Sequence, residues 1–347
     1  MQMVQVMKTI RTRVAFTLIE LLVVISIIVL LLAILFPAIQ KVRESANIAG
    51  CSNHCRQIGQ AIIGYHTDKG TLPPGGVDGA FPKLNVPANV TPSGRAITHG
   101  WAVFLLPYLD QQPVFAQYHR DVDFRDPLNA TVIRTDLSVF TCPSVHPQFR
   151  HDVFSSDGYS NWETSSMDYM VLNGLNTGLA TWLGFTLPPN VTSWGHSGAM
   201  LVVGVTSPIS SIRRNQLVKM SDIEDGASNT LVITESAGRP DLYQLRQQLL
   251  AINGNRVPGG GWADRSNEHF LTGSMPNGIK PASGNPAANC AVNCTNNTEP
   301  YSFHTTGVNT LFADGSVRFV HTRIDIRVMA SLITRNGSES FSTTDLE

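Results

Sequence analysis

The chain has 347 residues, of which 15% are charged, and its formal net charge is -1. A nearly neutral chain lacks the basic excess that nucleic-acid binding needs, so we expect no nucleic acid among its partners. Glycine, proline and small polar residues are frequent after residue 70, which predicts short strands joined by turns.

The N-terminus combines a basic leader with a long apolar run. Residues 1–15 carry three basic residues and no acidic one, and from Leu18 to Phe36 only Glu20 and Ser26 are polar. A helix over this run spans about 28 Å, close to the thickness of the hydrocarbon core of a bilayer. Since basic residues stay cytoplasmic, we predict a single-pass inner-membrane helix with a short cytoplasmic N-terminus and an exported head.

Two other interpretations of this segment compete with that prediction. A cleaved secretory signal has a similar charge pattern, but the apolar run is longer than the core of a typical signal. Glu20 could also lie at the membrane interface without any role. Because a carboxylate near the start of a membrane helix is costly, we favour a retained helix in which Glu20 has a function.

After Pro37 the sequence takes the pattern of an amphipathic helix. Five residues recur at spacings of four and three, which places them on one helix face: Cys51, Cys55, Ile58, Ile62 and Tyr65. We predict that the helix continues to about His66 and that this face packs on the head. The breaker sequence of residues 70–74 then ends the helix.

The rest of the chain predicts a head built from short elements. A compact apolar run at residues 101–109 is typical of a short helix or a buried strand. Strand patterns recur at residues 139–144, 200–205 and 231–234. Helical patterns and a long loop complete the prediction: short helices at 241–250 and 327–333, and the loop at 253–300.

The clearest local pattern is a hairpin near the C-terminus. Residues 308–313 and 316–321 flank Asp314-Gly315, a dipeptide typical of a type I′ turn in which both central residues have positive φ. A two-residue turn of this kind places Phe312 opposite Val317. With the long helix, these patterns predict an α+β fold whose head is rich in antiparallel strands.

Five cysteines raise the choice between zinc and disulfides. Cys51 and Cys55 lie in the helical pattern, whereas Cys290 and Cys294 lie in an asparagine-rich loop. Two C-x-x-x-C pairs are one arrangement for zinc, but export of the head favours disulfides, and we expect no metal. Because a bridge between adjacent turns of one helix is strained, we favour Cys51 with Cys142. Cys290 and Cys294 are the other candidates.

Two further groups of residues could carry chemistry. His304 and Asp314 could form a functional pair, but the turn explains Asp314, and no nucleophile accompanies them. Asp222, Glu224 and Asp225 are a weak calcium candidate, for which turn and capping roles are the favoured alternative. With no phosphate-binding glycine loop either, we expect neither a cofactor nor an enzymatic activity.

Residues 14–25 resemble the prepilin cleavage and methylation motif of type IV pilins and type II secretion pseudopilins. The resemblance implies that a prepilin peptidase cuts between Ala15 and Phe16 and that Phe16 is then N-methylated, although Ala15 stands where the family usually has glycine. It also implies that Glu20 pairs with the N-terminal amine of a neighbouring subunit, since two paired charges tolerate an apolar filament core better than either alone. Pro37 lies where pilins often have a proline and a kinked or melted helix.

The rest of the chain resembles the domain of unknown function 1559. The motifs that carry the resemblance follow one another in order: Cys51-Ser52-Asn53, Leu105-Leu106-Pro107-Tyr108-Leu109, Cys142-Pro143-Ser144, Asp225-Gly226-Ala227-Ser228-Asn229-Thr230, and His304 with Asp314-Gly315 ten residues on. That family usually carries a prepilin-type N-terminus. Cys55 stands where the family usually has an apolar residue, which makes it the candidate for an unpaired thiol.

These resemblances imply a pilin-like or pseudopilin structural subunit. Its organisation would be a cleaved leader at residues 1–15, a helix at 16–68 and an exported head at 69–347. Its partners would be the prepilin peptidase and N-methyltransferase, the membrane and other pilin-like subunits, and assembly would carry the head to the cell surface or beyond it. The alternative is a membrane-anchored binding module for a glycan or another ligand, because the head is far larger than filament packing needs.

Overall fold

The computed structural model describes residues 17–186, 197–204, 217–249, 256–282 and 284–337. The chain forms two compact units, which are divided between Ala46 and Asn47. The first helix, α1 (Leu18–Lys69), has 52 residues and begins in one unit and ends in the other. It runs through Pro37 without interruption and ends three residues beyond the predicted His66.

The first part of α1 carries apolar side chains on every side. The large apolar residues from Leu18 to Val42 are all exposed, with fractions between 80% at Leu18 and 44% at Val24. Within the described residues, α1 is the one helix long and apolar enough to cross a membrane. A helix that is apolar all round needs lipid or other helices as its surroundings.

The later turns of α1 belong to the head and are amphipathic. The five residues of the predicted stripe are buried there, together with Gly59 and Ala61. Gly59 allows the helix to approach the C-terminal hairpin closely, because a Cβ atom at this position would lie 2.7 Å from Cδ1 of Leu311. The predicted packing of this helix face on the head is therefore confirmed.

The described part of the head contains twelve strands and three further α-helices. The strands are β1 (Gly76–Asp78), β2 (Thr98–Gly100), β3 (His151–Ser156), β4 (Tyr159–Ser165), β5 (Tyr169–Leu175), β6 (Val202–Val203), β7 (Leu231–Glu235), β8 (Leu242–Gln244), β9 (Gln247–Leu249), β10 (Glu268–Leu271), β11 (Gly307–Phe312) and β12 (Val317–His321). The helices are α2 (Gln112–Gln117), α3 (Thr177–Leu183) and α4 (Ile326–Ile333).

Five strands form the central sheet, in the order β10-β5-β7-β11-β12. The pair β10-β5 is parallel and the other pairs are antiparallel. Every residue of β5, β7 and β11 is buried, because one face of the sheet packs with the later turns of α1 and the other with α3 and α4. The predicted α+β class is confirmed, with a sheet that is mixed rather than purely antiparallel.

Smaller sheets surround this core. Strands β2, β1 and β6 form a three-stranded sheet in which β6 runs parallel to β1. The pairs β3-β4 and β8-β9 are antiparallel hairpins. The apolar run at residues 101–109, predicted as a short helix or a buried strand, contains a 3₁₀ helix (Trp101–Tyr108).

Three local predictions were wrong. Residues 241–250 contain the β8-β9 hairpin instead of a helix, because Leu245 and Arg246 both take positive φ, at 46° and 68°, and reverse the chain. A 3₁₀ turn (Ser138–Phe140) replaces the strand predicted before Cys142. The predicted loop at 253–300 includes β10, which pairs with β5.

The C-terminal hairpin was predicted correctly in place but not in register. Leu311, rather than Phe312, lies opposite Val317. Gly315 has a φ of 83°, and its backbone N–H donates to the Phe312 carbonyl at 2.9 Å, while the Phe312 N–H donates to the Ser316 carbonyl at 2.9 Å. This is a three-residue loop with glycine at the left-handed position, so it shifts the register by one residue from that of a two-residue turn.

Candidate functional site

Four buried polar side chains converge beside the central sheet. Cys51 comes from α1, Cys142 from the turn after residue 140, Glu235 from the end of β7, and His304 from the segment that leads into β11. Each of the four has 0% of its surface exposed. We call this set the cysteine–histidine–glutamate cluster.

Cys51 and Cys142 are joined by a disulfide, the pairing that the sequence favours. Their Cα atoms are 5.4 Å apart, within the range that a disulfide requires, and 91 positions separate them in the chain. The bridge lies in a small apolar cluster with Val145 and Ala237. Because the bridge closes a long loop between the later turns of α1 and the rest of the head, it is expected to stabilise the fold by roughly 4 to 5 kcal/mol in the chain-entropy description.

The ring of His304 faces both the bridge and the carboxylate. Its Nε2 atom lies 3.8 Å from Sγ of Cys142 and 3.5 Å from Oε1 of Glu235. The backbone of His304 is held in place on both sides, because its N–H donates to Oγ of Ser302 at 3.1 Å and its carbonyl accepts from Nδ2 of Asn293 at 2.9 Å. The loop before β11 thus fixes the position of the imidazole.

Glu235 is a carboxylate with no exposed surface, which makes its surroundings energetically important. Its Oε2 atom accepts a hydrogen bond from the backbone N–H of Asn309 at 2.6 Å. The Asn309 side chain also contacts the carboxylate at 3.4 Å and donates to the Ile48 carbonyl of α1 at 3.4 Å. Asn309 therefore connects the carboxylate to the helix.

A second buried carboxylate supports the turn that carries Cys142. Oδ2 of Asp168 accepts from the Cys142 N–H at 2.8 Å, and Oδ1 accepts from the Gly238 N–H at 2.9 Å. Oδ1 also lies 2.5 Å from Nη2 of Arg150, a guanidinium that is itself buried. Because this charge is paired and hydrogen-bonded, it can stay buried and hold the turn in place.

The charge of Glu235 reaches neighbouring groups. Burial, and next the charge of Glu235, raise the pKa of the Cys55 thiol well above its ordinary value, so Cys55 stays protonated. Cys55 is free and buried, in agreement with its choice as the unpaired thiol. Burial also raises the pKa of Tyr169, whose hydroxyl donates to the Cys51 carbonyl at 3.4 Å. The side chains of Cys55 and Tyr169 are therefore both uncharged.

The other predicted site residues lie apart from this cluster. His304 precedes β11 and Asp314 follows it, so the strand separates the suggested pair. Asp314 is exposed in the turn, where Oδ1 accepts from the Ser316 N–H at 2.8 Å beside Gly315. Cys290 and Cys294 form a second disulfide with a Cα–Cα distance of 6.4 Å.

Two of the three calcium candidates accept hydrogen bonds from backbone N–H groups. The carboxylate of Asp222 accepts a hydrogen bond from the Lys219 N–H at 2.9 Å. This bond caps the N-terminus of the short 3₁₀ helix Met220–Asp222. Oδ2 of Asp225 accepts from the Gly337 N–H at 2.8 Å. Glu224, which lies between them in the chain, is exposed.

The residues predicted for processing, Ala15 and Phe16, and for assembly, Glu20, lie near the start of the chain. Ala15 and Phe16 lie outside the described residues. Glu20 lies in the first turn of α1.

Glu235, Asn309 and Asp168 did not stand out in the sequence. Glu235 ends a buried apolar strand, and a charged residue in such a strand is a signal that could have been recognised. Asn309 and Asp168 give no comparable signal, because nothing local shows that their partners come from distant segments.

A separate surface cleft also has features of a binding site. Its volume is about 360 Å³. Four aromatic and three basic residues contribute to its lining: Tyr65, Phe104, Tyr108, Phe115, Lys69, Lys83 and Arg120. The Tyr108 hydroxyl donates to Oδ2 of Asp68 at 2.7 Å, and the guanidinium of Arg120 lies 4.9 Å from the centre of the Phe115 ring. We call this region the aromatic cleft.

Comparisons with known proteins place the chain in one family. A family model described as a protein of unknown function (DUF1559) matches residues 40–327. This range contains the whole cysteine–histidine–glutamate cluster and the aromatic cleft. No curated protein and no solved structure matches the chain.

Proposed function

We propose that this chain, which belongs to the family of proteins of unknown function DUF1559, is a membrane-anchored pilin-like subunit with an exported head. Its N-terminal helix joins those of other pilin-like subunits in a pilus or a type II secretion-type assembly. The observation that supports this most is the first part of α1. It is apolar on every side, and it carries the carboxylate of Glu20 in its first turn.

An apolar surface alone would be explained by lipid, but Glu20 would not. The backbone N–H and the hydroxyl of Thr17 donate to its Oε2 atom at 2.8 and 2.7 Å, so the carboxylate is held at the start of the helix. These bonds leave its negative charge uncompensated in an apolar environment. The free amine of a neighbouring subunit is a partner of opposite charge, and pairing with it would favour side-by-side packing of the helices.

Cleavage between Ala15 and Phe16 would create that amine. The prepilin peptidase that makes the cut, and that also N-methylates Phe16, is therefore a proposed partner. The test is mass spectrometry of the N-terminal peptide of the full-length protein, produced with a prepilin peptidase and extracted from membranes. The expected peptide begins with N-methylated Phe16. Membrane-bound protein that retains residues 1–15 would contradict the proposal.

Removal of the Glu20 charge separates assembly from membrane insertion. Glu20→Gln should still insert, but assembly should fall roughly 100-fold or more, because leaving one partner of a buried ion pair alone is strongly unfavourable. Cross-linking of subunits in membranes and the protein content of sheared filaments measure assembly. Ser26→Ala is the matched control, since this hydroxyl only donates to the Leu22 carbonyl within the same helix, at 2.7 Å. Equal assembly by both variants would exclude the charge-pairing role.

The aromatic cleft supports a second candidate function, a binding module for a glycan. Tyr65 and Phe104 are buried, but Tyr108 and Phe115 are partly exposed, and sugar rings can stack on such aromatic rings. The three basic side chains outnumber the one acidic residue of the lining, Asp68, and attract carboxylates. An acidic oligosaccharide therefore fits the lining better than a neutral one. This function is compatible with an anchored head and does not require assembly.

Binding of acidic oligosaccharides to the full-length protein in detergent tests this candidate. We expect binding that weakens in Arg120→Gln and that exceeds binding of neutral oligosaccharides of equal length. Arg134→Gln is the control, because this exposed arginine pairs with Glu163 away from the cleft lining. Failure of the full-length protein to bind any acidic oligosaccharide would remove this candidate.

A further inference from the structure

The cysteine–histidine–glutamate cluster contains the donor atoms of a metal site. Among the described residues, Cys51, Cys142, Glu235 and His304 each offer one such atom, and these atoms all lie within 4.8 Å of one another. Thiolate sulfur, imidazole nitrogen and carboxylate oxygen are the ligand types that Zn²⁺ prefers. Four such groups are also the number that a closed structural zinc site requires.

Two of the distances between donor atoms, both measured from His304, agree with tetrahedral zinc. With zinc–ligand bonds of the usual length, ligand atoms lie about 3.3 to 3.8 Å from one another. The Nε2 atom of His304 is 3.5 Å from Oε1 of Glu235 and 3.8 Å from Sγ of Cys142. The distance from Nε2 to Oε1 is long for a hydrogen bond, but it is suitable for two ligands of one ion. The two sulfur atoms, which are bonded to each other in the disulfide, would have to move apart.

Groups around the cluster hold its donors in suitable positions. The Asn309 N–H donates to Oε2 of Glu235, while Oε1 faces His304. The Cys142 N–H is bound by Asp168, and the backbone of His304 is fixed by its neighbours in the loop. Such surrounding hydrogen bonds orient the ligands of protein metal sites.

We propose that Cys51, Cys142, His304 and Glu235 bind one Zn²⁺ ion when the two cysteines are reduced, and that the disulfide is the metal-free state of the same site. The two states exclude each other, since a bridged sulfur has no thiolate to offer. This inference does not depend on the proposed assembly through α1.

The conversion between the states is a thiol–disulfide exchange. Each zinc-bound thiolate loses one electron as the bond between the two sulfur atoms forms, and Zn²⁺ leaves. The two electrons reduce a disulfide of the exported thiol-oxidant class, which takes up two protons and becomes two thiols. Because all four side chains are fully buried, we expect the choice between zinc and the bridge to be made while the head folds.

The experiment compares the full-length protein, exported and extracted in detergent, from a host with an exported thiol oxidase and from a host without it. Alkylation followed by mass spectrometry identifies the chains in which Cys51 and Cys142 are reduced. Elemental analysis of each preparation after gel filtration then measures zinc. We expect about one zinc per chain in reduced protein and almost none in oxidised protein. Reduced, folded protein without zinc would overturn the proposal.

Variants test which residues hold the ion. Glu235→Gln and His304→Gln should each lower the zinc content of reduced protein at least several-fold. Replacing zinc with Co²⁺ gives a second readout, because cobalt–thiolate charge-transfer absorption should weaken in Cys142→Ser and disappear in the double variant Cys51→Ser/Cys142→Ser. The comparison of reduced and oxidised wild-type protein decides the question even where a variant fails to fold.

The chain offers two controls for these variants. The double variant Cys290→Ser/Cys294→Ser removes the other cysteine pair and should keep its zinc. Cys55→Ser should keep it as well, although Cys55 lies one helical turn from Cys51 and shares its buried face. Loss of zinc in either control, with zinc retained in His304→Gln, would assign the ion to a C-x-x-x-C pair and reject the cluster.

Discussion

The two parts of α1 form one continuous helix but have opposite surfaces. From Leu18 to Val42 the large apolar side chains are exposed, whereas seven residues between Cys51 and Tyr65 are buried. The difference lies in the arrangement of apolar residues, which surround the first part and form one stripe on the second. A stripe can be buried by the protein's own sheet, but an apolar surface on all sides needs lipid or other helices around it.

Loss of the Cys51–Cys142 bridge, which holds the second part of the helix, should give the largest loss of stability. The double variant Cys51→Ser/Cys142→Ser should lower the free energy of unfolding of the head by roughly 4 to 5 kcal/mol. Denaturant unfolding of the detergent-solubilised protein, followed by tryptophan fluorescence, measures this change.

The second disulfide is the control for this prediction. Cys290→Ser/Cys294→Ser opens a bridge between residues only 4 positions apart, so the loss should be only about 2 kcal/mol. Equal losses in both double variants would show that the long loop closed by Cys51 and Cys142 does not determine the stabilisation.

The same substitution in each part of α1 compares the two environments directly. Ile58 has no exposed surface and belongs to the main core, so Ile58→Ala should destabilise the head by about 2 to 5 kcal/mol. Ile34 is 67% exposed, and Ile34→Ala should leave unfolding of the head unchanged. A similar loss in both variants would contradict the division of the helix into two environments.

Acid should destabilise the head through its buried histidines. Burial lowers the pKa of His99 from 6.5 to about 4, so the unfolded chain binds a proton that the folded head excludes. This contribution, up to roughly 3 kcal/mol, is fully present above pH 6.5 and is lost as the pH falls towards 4.

Unfolding measured between pH 7 and pH 4 checks this prediction. His99→Gln should be less stable at neutral pH but should lose less stability on acidification than the wild-type protein. Burial also lowers the pKa of His54 and His269, so some acid sensitivity should remain in the variant. An unchanged pH profile in His99→Gln would exclude this histidine as a cause.

Local patterns predicted the elements whose neighbours are close in sequence. The stripe from Cys51 to Tyr65 predicted which face of α1 is buried, and Asp314-Gly315 predicted the position of the last hairpin. The same approach predicted a helix at residues 241–250, where Leu242 and Tyr243 form a strand instead. Aromatic contacts of Tyr243 with Tyr301 and Phe303 lie across a long separation in sequence, and local helix propensity does not include them.

The sequence by itself determined the long apolar helix near the N-terminus, because an apolar run depends on residues next to one another in the chain. It also determined the amphipathic continuation of α1 and the α+β class. Only the tertiary structure decided that Glu235 and His304 join Cys51 and Cys142, because the four residues come from segments far apart in the chain. Their convergence depends on the packing of α1 against the sheet, and such long-range packing leaves no periodic signal in the sequence.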